Sequence, residues 1–371
     1  MGLLIPALLI SGFFFSCSKL VLTRDVLTPV LWGQLGGDPQ RTRYTSQTPA
    51  LPLELSWMER ASSAVGRNLI AVDNHIFYST LDGRIECREL TRGKRTGRIK
   101  IQGNVPTTCA YSDGSLVLVG RKGRISLARY DLISGKFLWK TVGVNSFSEP
   151  LITGDRVYVG TVNSKLAGFD LDSGSELWRV DLNGQSHAAP SCARDRIVIG
   201  DDSGNISAFY RSSERAWTYS AGSGIRAPAA ISGNSVYLGS LDGTFYALDL
   251  LNGAERWRFQ AGGKIYRSAA VDSSRVVFGT TERTVYALDR KDGAYLWSFK
   301  AESVIGTAPL IAGDIVLFGS LDKKLYALDA ASGEKLWSFE ARGRIRTNPV
   351  YIQGRVVFAS ENDRLYCLEK K

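Results

Sequence analysis

Histidine and cysteine are scarce in this sequence, which narrows the chemistry that it can support. The 371 residues contain two histidines, His75 and His187, and five cysteines, none adjacent to another or spaced as Cys-x-x-Cys. Zinc and related metals are held by clusters of these side chains, so we predict no metal site. Cys87 and Cys367 stand at equivalent places in a repeat described below, where other copies have alanine. We expect small buried side chains there rather than a disulfide.

Long hydrophobic runs are also absent. The longest, "LLIPALLISGFFF" at residues 3–15, has 13 residues, which is too short to span a bilayer as a helix and typical of a secretory signal peptide. Cys17 and Ser18 follow it, and the pattern resembles a bacterial lipoprotein signal. We therefore predict a signal peptide at 1–16, a lipidated, palmitate-bearing Cys17, and a tether and lead-in at 17–52. The predicted location is the periplasmic face of the outer membrane. An ordinary signal peptide is the alternative.

A repeat of about 40 residues fills the rest of the chain, where helical periodicity is absent. The pattern is Asp, three residues, Gly, three residues, Trp, as in "LYALDAASGEKLWSFE" at 325–340 and "VYALDRKDGAYLWSFK" at 285–300. A fixed period near 40 with turn residues at fixed offsets indicates a propeller or solenoid. The tryptophans that mark the period are Trp57, Trp139, Trp178, Trp217, Trp257, Trp297 and Trp337.

Each period contains four short apolar runs divided by turns such as Asn-Gly and Asp-Gly, which predicts four antiparallel strands joined by hairpins. Residues 53–371 hold eight such sets. The last set lacks a Trp strand, whereas Trp57 has no set before it, so we predict an all-β, eight-bladed β-propeller whose N-terminal strand closes the last blade. Closure removes exposed sheet edges. We expect the Trp to pack between blades, the Gly to adopt a positive φ, and the Asp to hold the preceding turn.

The chain is basic, with a formal net charge of +10. In an exported protein such a surface favours anionic lipid headgroups, cell-wall polymers or an acidic protein partner over nucleic acid. In a propeller, the segments that lead into the first strand of each blade gather near the axis at one end. Six of their residues would form a basic funnel for an acidic ligand: Arg67, His187, Arg226, Tyr266, Arg267 and Arg346. Solvated loop arginines without a common target are the alternative.

The repeat resembles the tryptophan-docking motif of the pyrroloquinoline-quinone (PQQ) propellers, and "WGQLGGDPQRTRY" at 32–44 is similar to the lead-in of that superfamily. The superfamily includes quinoprotein dehydrogenases and non-enzymatic scaffolds, so the resemblance implies the fold and not the function. Dehydrogenases of this type carry long insertions and often an adjacent Cys-Cys pair, and this sequence has neither. We predict no enzymatic activity and no cofactor, with a PQQ-dependent dehydrogenase as the alternative.

An insertion-free, lipidated propeller of this length resembles the BamB-type lipoproteins, scaffolds of the outer-membrane β-barrel assembly machinery. The resemblance implies a protein partner in the cell envelope, bound by loops of the fourth and fifth blades, and a monomer within a complex. In that family a Leu-Arg-Gly stretch and acidic residues in the next loop dock the barrel subunit. This chain has Leu182, Asn183 and Gly184, then Arg226, so both charged elements differ. A scaffold for another envelope partner is a further alternative. We predict that Leu182 and Tyr266 anchor the partner and that Arg226, Arg267 and Arg346 attract it.

Overall fold

The computed structural model describes residues 19–22, 30–101, 107–120 and 125–371. The predicted signal peptide and Cys17 lie outside these residues. The described chain is all-β, and the prediction of an eight-bladed propeller is confirmed. In each blade the strands follow one another antiparallel from the channel outward, because hairpins of a few residues join strands that are adjacent in sequence.

The strand bounds repeat with little variation. Blade 1 contains Val65–Val72, His75–Thr80, Arg84–Glu89 and Arg95–Lys100; blade 2, Ala110–Ser112, Ser115–Val119, Leu127–Asp131 and Lys136–Thr141; blade 3, Leu151–Thr153, Arg156–Thr161, Lys165–Asp170 and Glu176–Asp181; blade 4, Ser191–Ala193, Arg196–Gly200, Asn205–Tyr210 and Arg215–Ser220. Blade 5 contains Ala230–Ser232, Ser235–Gly239, Thr244–Asp249 and Glu255–Gln260; blade 6, Ala270–Val271, Arg275–Gly279, Thr284–Asp289 and Tyr295–Lys300; blade 7, Leu310–Ala312, Ile315–Gly319, Lys324–Asp329 and Lys335–Glu340; blade 8, Val350–Ile352, Arg355–Ser360 and Arg364–Glu369.

The N-terminal strand closes the ring. Glu54–Arg60 is the outermost strand of blade 8 and pairs antiparallel with Arg364–Glu369, with Trp57 opposite Cys367. The count of tryptophans against strand sets predicted this arrangement, and the structure confirms it. Cys87, Cys109, Cys192 and Cys367 are all buried and free.

The tryptophans join each blade to the next. The indole Nε1–H of Trp217 donates to the carbonyl of Leu250 at 2.9 Å, and that of Trp297 to the carbonyl of Ala330 at 3.0 Å. The repeat glycine of the next blade lies against the ring: a Cβ on Gly333, at φ 74°, would lie 2.6 Å from Cδ2 of Trp297. The glycine is therefore required both for its backbone conformation and for this contact.

The repeat aspartates hold the turn that follows them, not the one that precedes them as the sequence suggested. Oδ1 of Asp249 accepts from the backbone N–H groups of Leu251 and Asn252 at 2.8 and 3.1 Å, and Asp329 does the same for Ala331 and Ser332. Asp side chains favour this local bonding to the backbone two or three residues on, which explains why the residue begins the turn.

The lead-in packs inside the channel. Val30–Trp32 pairs with the inner strand of blade 1, and Tyr44–Thr45 runs parallel to the inner strand of blade 7. Between them, backbone carbonyls of the lead-in accept hydrogen bonds from inner strands of successive blades; that of Pro39 accepts from Cys192 N–H, and that of Thr42 from Val271 N–H. Residues 30–45 of the segment predicted as tether and lead-in thus fill the channel, where the sequence indicated only a connector, whereas residues 19–22 lie at the outer strand of blade 1, with Lys19 bridged to Arg98.

Two arginines of the lead-in are fully buried. Arg41 Nε donates to the carbonyl of Pro190 at 2.7 Å, and Arg43 donates to the carbonyls of Pro309 at 2.7 Å and Pro349 at 3.2 Å. Burial lowers the pKa of Arg41 to about 10 and that of Arg43 to about 9. Both guanidinium groups stay charged at neutral pH and bind carbonyl oxygens at the proline position of three blades.

Candidate functional site

A cup opens at one end of the channel, on the side of the connections between blades, which we call the connection face. The connections that lead into blades 2 to 8 span nine residues, as in 182–190 and 261–269, and their last residues turn toward the axis; the connection into blade 1, 61–64, has four. The cup has a volume of about 420 Å³ and is floored by Leu35 of the lead-in. Its walls come from blades 1, 3, 4, 5, 6, 7 and 8: Arg67, Asn68, Phe147, Glu149, His187, Arg226, Pro228, Tyr266, Arg267, Ser268, Ala308 and Asn348.

The six residues of the predicted funnel do lie together. Arg67, His187, Arg226, Tyr266 and Arg267 line the cup, and Arg346 lines a neighbouring cavity of about 230 Å³ with Arg67, Tyr266 and Arg267. They meet because they occupy two adjacent positions of the repeat where the chain enters the inner strand, and the propeller repeats those positions around one axis. Asn183 and Gly184 lie farther from the axis in the same connection as His187, and Asn183 is exposed.

Leu182 is not available to a partner. It is 7% exposed and packs in the seam between blades 3 and 4 with Ile197 and Trp178. Residues at the same place in other blades, including Ala221 and Ala261, are buried too. The prediction that Leu182 anchors a partner is therefore wrong, because the first residue of each connection belongs to the core. Tyr266, the other predicted anchor, is 37% exposed.

Arg226 and Arg346, which we call the rim arginines, are paired with carboxylates. Arg226 binds Asp202 through two hydrogen bonds, Nε to Oδ1 at 3.0 Å and Nη2 to Oδ2 at 3.2 Å, and this contact raises the pKa of Arg226. Oδ2 of the same aspartate lies 3.0 Å from Nδ1 of His187, whose ring stacks on Phe147 with centroids 4.6 Å apart. Arg346 forms an ion pair with Glu361. The rim is therefore a set of charge pairs, in which each arginine also exposes about two-fifths of its side chain.

An amide network crosses the wall of the cup from blade 7 to blade 3. The N–H of Ala308 donates to Oδ1 of Asn348 at 2.7 Å, Nδ2 of Asn348 donates to Oδ1 of Asn68 at 2.6 Å, and Nδ2 of Asn68 donates to Oε1 of Glu149 at 2.5 Å. Neither asparagine was predicted from the sequence. They stand 280 residues apart, and the signal that could have found them is their shared place in the repeat, two residues before Ile70 and Val350.

Glu149 in the cup and the two aspartates of the neighbouring loop are bonded to protein donors. Asp201 accepts the backbone N–H groups of Ser203 and Asn205, Asp202 is held by Arg226, and Glu149 is held by Asn68. Across the described ranges, the side chains include no group of three His, Cys, Asp or Glu residues placed to hold a metal ion. Nor does the described part of the chain contain a helix long and apolar enough to cross a membrane.

Comparison with known proteins points to one family. The family model described as outer membrane protein assembly factor BamB matches residues 142–264 and 241–371, which together make up more than half of the chain. The outer membrane protein assembly factor BamB of Burkholderia pseudomallei (strain K96243) is 28% identical over 199 residues, 50% of this chain and 46% of that protein. The match therefore spans about half the length of this curated relative.

Two solved structures illustrate the fold. BamB from Moraxella catarrhalis superposes with a TM-score of 0.75 at 19% identity, covering 86% of this chain and 100% of that one. A quinohemoprotein alcohol dehydrogenase from Comamonas testosteroni gives a TM-score of 0.75 at 14% identity, covering 92% of this chain and 81% of that one. At such low identity these similarities establish the propeller fold and carry no information on activity.

Proposed function

The chain belongs to the family of the outer membrane protein assembly factor BamB, and on that premise we propose that it is a non-enzymatic scaffold for outer-membrane protein assembly. The observation that carries this proposal is the family-model match across residues 142–371. We further propose that Cys17 bears the lipid anchor and holds the propeller at the periplasmic face of the outer membrane.

The connection face is the proposed docking surface. Strands in a propeller are committed to packing, so recognition falls to the loops at its ends, and the connections between blades are the longest of these. Five of the predicted partner-binding residues lie in the connections of blades 4 to 6, on one side of the cup: Asn183, Gly184, His187, Arg226 and Tyr266. An acidic partner would be attracted by Arg226 and Arg346, with Tyr266 as the apolar contact.

The lengths of the connections argue against the dehydrogenase alternative. A quinone pocket with a lid needs residues beyond those that build the blades, whereas the connections between described strands of the blades are nine residues or fewer. The carboxylates of the cup are also already engaged by protein donors, as described above.

Purification from solubilised native membranes tests the proposal. We expect an outer-membrane assembly protein with an acidic surface to copurify with the wild type, and less of it with Arg226→Glu/Arg346→Glu, most clearly at low salt. The matched control is Arg179→Glu/Arg258→Glu, which reverses two charges on outer strands of blades 3 and 5 where each arginine pairs with a glutamate three residues away. Equal recovery from both double variants would place the interface elsewhere. A stoichiometric quinone spectrum in the purified protein would favour the dehydrogenase alternative.

A further inference from the structure

Two arginines of the cup differ from those of the rim. Among the described residues, the side chains of Arg67 and Arg267 have no hydrogen bond and no ion pair, whereas Arg226 and Arg346 each contact a carboxylate. Both Arg67 and Arg267 line the cup and the adjoining cavity. Arg67 exposes more than a third of its surface and Arg267 is half-buried, so the cost of desolvating a charge without a protein partner falls mainly on Arg267.

The repeat shows that these arginines are exceptions. They occupy one position of the repeat, which in blades 2 to 8 lies three residues before the start of the inner strand and in blade 1 falls inside Val65–Val72. In the other blades that position holds a small buried residue: Thr107, Ser148, Ala188, Ala227, Thr307 and Thr347. The threonines bond to backbone, as Thr347 Oγ1 does to the carbonyl of Gly66 at 2.8 Å. Since a small side chain satisfies the fold at this position, the blades do not need arginine there.

The local electrostatics oppose the two charges. Burial, together with the positive charges of Arg67 and Arg346, lowers the pKa of Arg267 to about 9. The pKa of Arg67 is lowered by burial as well, with Arg346 contributing repulsion. Glu149 is the acid that interacts with Arg67 and Arg267, and it also interacts with Arg41 beneath the floor. Arg41 also interacts with Asp38, so the three arginines face two carboxylates and one positive charge is uncompensated.

The shape of the wall leaves room for a ligand beside these charges. Blade 7 has Gly306 where its neighbours have Tyr266 and Arg346, so no side chain fills the space between them, and Gly306 lines the adjoining cavity. A Cβ on Gly306 would lie 2.1 Å from the carbonyl oxygen of Ile345, so a larger residue does not fit there. Beneath the floor of the cup, Nη2 of Arg41 is buried without a partner among the described residues.

We propose that the cup is a binding site for an oxyanion, a carboxylate or phosphate group held between Arg67 and Arg267 and neutralising their charge. Guanidinium groups bind such groups through charge-assisted, often bidentate hydrogen bonds. The site goes beyond the scaffold role, because it is formed by the chain alone and does not require the docking partner. A bound oxyanion would offset the repulsion between the guanidinium groups of the two arginines.

Thermal unfolding of the purified chain in a buffer free of phosphate and carboxylates tests the site. Inorganic phosphate and citrate are added at constant ionic strength. We expect the wild-type Tm to rise by about 3 °C at a hundredfold excess over Kd. Arg67→Gln/Arg267→Gln should start at a higher Tm, since it removes repelling charges, and should not respond to either anion. In calorimetric titration its affinity should be at least tenfold weaker.

The control variant is Arg179→Gln/Arg258→Gln, which lowers the net charge equally on outer strands. It should respond to anions like the wild type. Equal responses of the two double variants, or a wild type that responds to neither anion, would overturn the proposal. A lower starting Tm for Arg67→Gln/Arg267→Gln, with the anion response retained, would show that the arginines serve the fold and would also overturn it.

A further titration identifies where the oxyanion comes from. A short peptide of consecutive glutamates is tested for its ability to displace citrate. Displacement at lower concentration than inorganic phosphate supports a carboxylate presented by a protein segment, and binding of phosphate or citrate without the peptide supports a free small anion. The copurification described above depends on rim residues, so failure of either proposal leaves the other standing.

Discussion

Blades 5 and 6 meet twice, once at their outer seam and once at the wall of the cup, and the two contacts are built differently. At the seam Trp257 donates to the carbonyl of Arg290, and Gly293 lies against its ring. The same arrangement recurs at Trp217 with Gly253 and at Trp297 with Gly333. At the cup the corresponding residues change from blade to blade: Arg226 in blade 5, Tyr266 in blade 6 and Gly306 in blade 7.

The difference separates stability from recognition. The indole bond to the next blade recurs at six seams among the described residues, because neighbouring blades present the same packing problem, whereas blade 1 has Gly97 at the tryptophan position. A residue that contacts a ligand or partner has no reason to repeat, because the ligand lacks the symmetry of the propeller. We therefore expect substitutions at the seams to lower stability and substitutions at the cup to change binding with small effects on unfolding.

The largest expected effect is at a seam. Trp297 is 5% exposed and hydrogen-bonded to Ala330, so Trp297→Ala removes a large buried side chain and leaves a cavity. We expect a loss of about 3–5 kcal/mol in the free energy of unfolding, measured by urea denaturation. Trp297→Phe, which keeps most of the buried area, should lose clearly less. A cost for Trp297→Ala below about 1 kcal/mol would contradict the account of the seams.

The second-largest effect on stability is expected in the lead-in, which has no copy elsewhere in the chain but, like a seam, holds blades together by buried contacts. Arg43→Met retains the length of the side chain but leaves the buried carbonyls of Pro309 and Pro349 without their donors. We expect a loss of about 2–3 kcal/mol in urea denaturation. The control Arg342→Met alters an exposed arginine and should change stability by less than about 0.5 kcal/mol. Equal effects of the two substitutions would mean that the lead-in does not stabilise the ring.

A smaller change in stability is expected at the rim. Arg226 exposes 40% of its side chain and pairs with Asp202, so Arg226→Gln should cost less than about 1 kcal/mol. The measurement is the urea midpoint, compared with partner recovery in the copurification assay. A loss as large as that at Trp297 would show that the rim pairs hold the blades together and would remove the distinction drawn between rim and seam.

The smallest effect concerns the cysteines. Burial raises the pKa of Cys87 and Cys367 to about 12, so both thiols are protonated at pH 8 as well as inaccessible. Native protein should therefore resist iodoacetamide, whereas denatured protein should take up label at Cys87, Cys109, Cys192 and Cys367. Mass spectrometry of tryptic peptides shows which cysteines carry the label in the native and in the denatured protein. Rapid labelling without denaturant would indicate that the blades separate in solution.

The same contrast explains how far the sequence alone could lead. Blades, seams and the closing Trp57 strand were predictable, because a packing solution used many times leaves a periodic signal. Burial of Leu182 could also be predicted, because other blades have alanine at the same position of the repeat. Arg41 and Arg43 were not predictable in this way: they occur once, and their partners lie 149 and 266 residues away. The proximity of Arg67 and Arg267 could be predicted from the repeat, but their lack of partners could be seen only from the positions of the side chains.

Photocrosslinking in native membranes tests the central claim, that the cup end of the propeller carries recognition. A photoreactive residue is placed at Tyr266 on the connection face or at Leu336, which is 49% exposed on the outer strand of blade 7. We predict a crosslink to an outer-membrane assembly protein from position 266 and none from position 336. Equal crosslinking from both positions, or crosslinking from position 336 alone, would contradict the division between seams that stabilise and a cup that binds.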